Sequence, residues 1–211
     1  MRRVLAVAGF LALGAASSVN AQLTVGLKGA TNMSSPHVTE NGGAPAIPYR
    51  SRAGLTVGAT AALEVTPWLA VQLEGRYAQL GTRQVDAGVT GVLRLSYVEV
   101  PFVVRAVIPV RGVPVTPHLL AGGFLRVKTA CDVRFRGAVS LDLGCGAAGV
   151  GDLRSTDHGV VVGGGADARL GPGEVTLDVE YALGLRNMSR DPAARVFSRV
   201  LVLGAGYRIA V

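Results

Sequence analysis

From Leu23 onward, apolar and polar positions alternate with a period of two in eight segments, each of roughly ten residues or more. They run approximately Leu23 to Met33, Ala53 to Glu64, Leu69 to Leu80, Leu95 to Ile108, Val115 to Val127, Asp157 to Leu170, Glu174 to Leu185 and Val196 to Ile209. A soluble strand usually holds about 5–6 residues, whereas a tilted strand needs about 9–11 to cross a bilayer. One face of each segment is apolar: Leu69, Val71 and Leu73 alternate with Gln72, Glu74 and Arg76. Likewise, Val98, Val100, Phe102 and Val104 oppose Glu99 and Arg105, and Leu177, Val179, Tyr181 and Leu183 oppose Asp178 and Glu180. A soluble sandwich with one wet face would show the same alternation, so alternation alone does not choose between the two.

The connections choose. After the second, fourth and sixth segments the chain reverses at Val65 to Trp68, Pro109 to Pro114 and Gly171 to Gly173, each holding Pro or Gly suited to a tight turn. The remaining links, Ser34 to Arg52, Gly81 to Arg94, Lys128 to Thr156 and Arg186 to Arg195, are long and alternate strictly with the short ones. Short turns on one rim and long loops on the other, with an even strand count, predict an all-β fold. It is an eight-stranded antiparallel up-and-down transmembrane β-barrel in a bacterial outer membrane. The reason is that unpaired backbone groups in hydrocarbon cost several kcal/mol each, so a sheet crosses a bilayer only when closed. Eight strands enclose a bore that side chains fill. Glu74, Arg76, Glu99, Arg105, Asp167, Arg169, Asp178, Glu180 and Arg208 are therefore expected inside as a paired charge network, with no open diffusion pore.

Several short stretches resemble the PorT-like outer-membrane β-barrel proteins, a widespread group whose members mostly lack an assigned biochemical role. They are Thr24-Val25-Gly26-Leu27-Lys28-Gly29-Ala30-Thr31-Asn32, Thr66-Pro67-Trp68-Leu69, Leu95-Ser96-Tyr97-Val98-Glu99-Val100-Pro101, Pro117-His118-Leu119-Leu120-Ala121-Gly122 and Glu180-Tyr181-Ala182-Leu183-Gly184-Leu185. The resemblance implies fold and location more than activity. In such barrels the last strand usually ends in an aromatic residue read by the insertion machinery, the expected assembly partner. Here Gly206-Tyr207-Arg208-Ile209-Ala210-Val211 ends in valine.

At the start, Arg2 and Arg3, the apolar run Val4 to Ala16 and the small residues around Val19-Asn20-Ala21 read as a signal peptide over residues 1–21, leaving a barrel domain over 22–211. No later apolar run is long enough for a spanning helix. The 29 glycines, with Val, Leu, Ala and Thr dominating the remainder, suit strands with close backbone contacts rather than helices. In an oxidising compartment Cys131 and Cys145 are expected to form a disulfide within one loop. A metal site would need more ligands, and His158 and the nearby aspartates are poorly spaced for one. No metal and no cofactor is expected.

Net charge is +7, and loss of Arg2 and Arg3 leaves +5. Apart from Lys28 and Lys128 every basic residue is arginine, and most arginines fall in or beside the long links. Guanidinium groups fork onto phosphate, and the outer leaflet presents phosphorylated lipopolysaccharide at that height. Arg134, Arg136, Arg154, Arg190 and Arg195 are thus candidate contacts to lipid phosphate, while the interleaved Asp132, Asp142, Asp152 and Asp191 make self-paired, solvated loops the competing reading. Nucleic-acid binding lacks its usual recognition helix or aromatic-lined basic stripe. No catalytic residue is assigned; Ser155, Asp157 and His158 form the nearest approach to a hydrolytic cluster and read instead as a loop entering a strand. The function expected is that of a non-enzymatic, monomeric barrel with a structural, adhesive or envelope-assembly role through its long loops. The alternatives are a soluble periplasmic lipocalin-like barrel binding a small apolar ligand and an outer-rim membrane enzyme.

Overall fold

The computed structural model describes residues 22–40, 50–86, 89–137, 140–147, 153–190 and 194–211. The signal segment 1–21, Asp152 and Asp191 lie outside them. The strands are β1 (Gln22–Glu40), β2 (Arg50–Thr66), β3 (Leu69–Asp86), β4 (Val89–Val107), β5 (Val115–Arg136), β6 (Ser140–Gly144), β7 (Thr156–Leu170), β8 (Gly173–Gly184) and β9 (Ala194–Ala210). Successive strands pair antiparallel, β7 pairs with β5, and β9 returns to β1, which closes an eight-stranded ring. The short β6 pairs only with the outer end of β5.

The ring is inverted relative to a water-soluble core. Leu27 is 72% exposed, Leu125 66% and Leu177 58%, whereas Glu99 and Arg126 are each 2% exposed. Side chains of a strand point alternately to opposite faces, so one register decision sends every leucine of that set toward lipid and every carboxylate inward. This oily exterior and ionic interior set aside the soluble lipocalin-like reading, which requires the reverse.

The tight turns lie where Pro and Gly place them. Gly171 (φ +62°) and Gly112 (φ +78°) occupy the left-handed region that glycine adopts without steric cost. The long links differ from expectation. Gly81 to Asp86 pairs residue for residue with Val89 to Arg94, leaving only positions 87–88 between the strands, and Ser34 to Glu40 pairs with Ala194 to Val200. Above the hydrocarbon, a hydrogen-bond ladder continues until Pro, Gly or a geometric clash stops it, so alternating stretches counted as loop extend the wall instead.

One irregularity re-aims the wall. The register between β4 and β5 passes from Ser96↔Ala130 to Tyr97↔Lys128, so Thr129 is an extra residue; its hydroxyl donates to the Ser96 carbonyl at 3.1 Å. A bulge of this kind flips the facing of everything beyond it. Arg126 below it points inward, Val133 above it is buried, and Arg134 and Arg136 face outward.

Cys131 and Cys145 form a disulfide with a Cα–Cα distance of 5.5 Å, tying the outer end of β5 to the residue after β6. Replacing both with serine is expected to remove about 3 kcal/mol of loop-closure stabilisation from the outer hairpin alone. Protease cleavage near residues 137–150 should accelerate while heat-modifiable gel mobility, the mark of the closed barrel, is retained. Separately, Val179→Arg places a cation on the lipid face midway along β8 and should destabilise the barrel by about 2–4 kcal/mol in urea unfolding from lipid vesicles.

Candidate functional site

Inside the ring the ionic side chains form one connected stack. Nearest the tight turns, His118 on β5 sits between two carboxylates, with Nδ1 3.0 Å from Asp167 and Nε2 2.8 Å from Asp178. Arg105 pairs with Asp167, and Arg208 bridges Asp167 and Glu174 at 3.0 Å each. This packing needs Gly165 in β7: a Cβ there would stand 2.6 Å from Asp178 Oδ1 and 2.8 Å from His118 Nε2.

Above that layer, Lys28 reaches Asp178 at 2.7 Å and also pairs with Glu180 and, at 3.6 Å, with Glu74. Arg76 Nε donates to Glu99 at 2.9 Å and its Nη1 to Glu180 at 2.8 Å. Higher again, Arg126 donates to Asp157 from Nε at 3.0 Å and Nη2 at 2.6 Å, and lies 3.4 Å from Glu99. Its guanidinium carbon stands 4.7 Å from the Phe124 ring centre and 5.3 Å from that of Tyr97. Among the described residues, five buried cations (Lys28, Arg76, Arg105, Arg126, Arg208) meet six buried carboxylates (Glu74, Glu99, Asp157, Asp167, Asp178, Glu180). Buried charges are tolerated only when paired and hydrogen-bonded, and this stack meets both conditions while plugging the bore.

Above Arg126 the filling changes. A cavity of about 470 Å³ opens toward the outer rim, with Tyr97 and Arg126 in its floor, Leu80, Val133, Met188 and Val200 in its walls, and Ser34, Gln84 and Ser189 among its polar lining residues. Leu80, Val133, Met188 and Val200 are themselves 3–6% exposed, so the lining is a packed apolar layer.

Eight of the nine lumen residues read from the sequence fall in this stack. The exception is Arg169: its parity is inward, but it pairs with Glu174 one step from the Gly171 turn and is exposed, because the wall ends there. Lys28, His118, Arg126 and Asp157 were not read as lumen residues. Parity carried the signal for Lys28, which shares a face with Thr24 and Asn32, and for Arg126, which lies between outward Leu125 and Val127. Asp157 and His158 take opposite faces of β7, the first 1% exposed and bound to Arg126, so they do not converge with Ser155 into a hydrolytic cluster. No group of three or more His, Cys, Asp or Glu among the described residues is placed to hold a metal ion.

At the rim, Arg134 is taken by Asp142 through Nε at 2.5 Å and Nη2 at 2.7 Å, a bond that holds the Asp142 carboxyl below its usual range. Arg136, Arg190 and Arg195 are exposed and Arg154 is half-buried. Arg52 and Arg94, not among the five candidate contacts, lie on either side of the buried Gly81. Arg94 is its register partner, and Arg52 Cδ lies 3.3 Å from where a Cβ on Gly81 would stand. The Arg52 guanidinium pKa is lowered from its ordinary value by partial burial and by the Arg94 charge.

A closed antiparallel ring with an apolar exterior and an ion-paired interior defines a transmembrane outer-membrane β-barrel. The chain belongs to the outer membrane protein beta-barrel domain family, whose model matches residues 15–190, and its place is the bacterial outer membrane. Solved structures similar to it include Neisserial surface protein A (15% identity over 89% of this chain and 96% of that one, TM-score 0.47). OprG from Pseudomonas aeruginosa is 14% identical over 90% of this chain and 96% of its own, with a TM-score of 0.49. Ail, the attachment invasion locus protein of Yersinia pestis, is 17% identical over 90% and 99%, with a TM-score of 0.40. No curated protein matches the chain significantly.

Glu99 joins two tiers by bonding both Arg76 and Arg126. Glu99→Ala removes one carboxylate from each guanidinium group while Arg76 keeps Glu180 and Arg126 keeps Asp157, and should cost about 1.5–3 kcal/mol, read as a lower urea midpoint in lipid.

Proposed function

We propose that this protein is a non-enzymatic, non-conducting outer-membrane barrel with a structural, adhesive or envelope-assembly role, exerted through its outer rim. Three parts of the sequence reading belong to this proposal: removal of residues 1–21 as a signal peptide, membership of the PorT-like group, and insertion by the barrel-assembly machinery as a monomer. The sealed bore supports the absence of conduction. From the layer of His118 to that of Arg126, each tier of charge crosses the lumen and meets its counter-charge, so water and ions find no continuous polar path of their own.

The observation that carries the rim role is the proximity of Arg52 and Arg94. Among the described residues no carboxylate lies within ion-pair distance of either arginine, and Arg94 Nε is buried without an acceptor. Two neighbouring guanidinium groups with no ion-paired carboxylate call for an anion. The anion available at that height is a phosphate of lipopolysaccharide. Arg136, Arg154, Arg190 and Arg195 extend the same surface, whereas Arg134 is already committed to Asp142.

Arg52→Gln with Arg94→Gln should lower retention of lipopolysaccharide through detergent purification by about tenfold, the factor that corresponds to one charge-assisted pair of roughly 1.5 kcal/mol. Dephosphorylated lipopolysaccharide should bind wild type and variant alike. Unchanged retention by the double variant overturns phosphate docking. Discrete conductance steps from the full barrel in planar bilayers overturn the sealed bore.

A further inference from the structure

The cavity above Arg126 shares only its floor with the ionic plug, and neither reading so far gives it a role. We propose that it is a binding cup for one small, uncharged, mainly aliphatic molecule, held tail-down against the Tyr97 floor with its polar end toward Ser34, Gln84 and Ser189. The inference goes beyond a structural role and stands independently of phosphate docking.

Size is the first argument. About 470 Å³ falls inside the roughly 300–1,000 Å³ of small-molecule sites. An eight-stranded bore is ordinarily filled by its own side chains, and below Arg126 this one is. Above it the lining is Leu80, Leu95, Val133, Met188, Val196 and Val200, an apolar layer that leaves the cavity unfilled. An apolar void forfeits dispersion contacts, and water entering it would find few partners.

Charge sets the ligand class. The only ionic group in the floor, Arg126, donates to Asp157 through two nitrogens, to Glu99 through a third, and to Ser198. It is stacked between Tyr97 and Phe124 and has no guanidinium edge to offer a carboxylate. Arg199, the other ionic lining residue, is solvent-exposed. A charged head driven down to the Tyr97 layer would be desolvated without compensation, so the deep part of the cup selects against ions. Hydroxyl and amide groups at Ser34, Thr82 and Gln84 suit a ligand whose one polar group is neutral.

The test uses the full barrel in lipid nanodiscs, which avoids detergent tails as competitors, with 1-aminoanthracene as fluorescent probe. Saturable one-to-one binding, displaced by n-decanol and about tenfold less well by decanoate, is expected. Val200→Trp fills the wall and should weaken probe binding by at least about tenfold. Leu93→Trp, nearer the mouth where the lumen widens, does the same should the first variant fail the heat-modifiability check. Leu203→Trp, on the lipid face, should leave binding unchanged. Probe uptake no greater than by empty nanodiscs, or wild-type affinity in the filled variants, overturns the cup. Equal displacement by decanoate overturns the uncharged class.

Discussion

Every backbone amide that enters hydrocarbon must be hydrogen-bonded by another backbone group, and the rest of this molecule follows from that requirement. A sheet satisfies it only by closing, which β1 and β9 accomplish along seventeen register pairs from Thr24↔Ala210 to Glu40↔Ala194. Closure at eight strands in turn leaves a bore too narrow for water to flow and too wide to leave empty. The lumen must therefore be built from side chains, and because the outward half of each alternation is committed to lipid, polar and charged groups are what remain to fill it.

Filling a narrow cylinder with arginines and carboxylates creates a packing problem that glycine solves. Inward glycines stand beside the long chains: a Cβ on Gly58 would meet Arg76 Cβ at 2.6 Å, and one on Gly26 would meet Arg208 Cγ at 2.8 Å. Glycine weakens a strand when judged in isolation, yet at these two positions the missing side chain leaves room for the aliphatic stem of a neighbouring arginine. The abundance of glycine and the buried charge are thus two aspects of one arrangement. Its energetic logic is that of a network: each carboxylate holds at least one cation, so that loss of a shared member such as Glu99 or Asp178 exposes several partners at once.

The interior also changes character along its axis. Ion pairs fill the half nearest the tight turns, Arg126 caps them between two aromatic rings, and aliphatic side chains line the space above. Beyond the membrane the wall continues upward, because β1, β3, β4, β5 and β9 carry their ladders past the lipid-facing belt. Among the described residues the outer half of the interior is therefore apolar and rests on the ionic plug.

Alternation of period two determined the strand set, the facing of Glu74, Arg76, Glu99, Arg105, Asp178, Glu180 and Arg208, and, with the sorting of short and long links, the closed membrane barrel. These features were legible because facing in a strand is a local property: each residue's side is set by its neighbours' parity. Lys28 and Arg126 went unread although their parity carried the same signal. Tertiary structure alone decided the rest. That Arg169 falls past the end of the wall, that Thr129 bulges and turns Arg134 outward, that Arg52 meets Arg94 across Gly81, and that an apolar cavity opens over Arg126 all depend on distances between strands far apart in the chain. No local pattern encodes those distances, since they arise only when shear and closure fix which layer of each strand faces which.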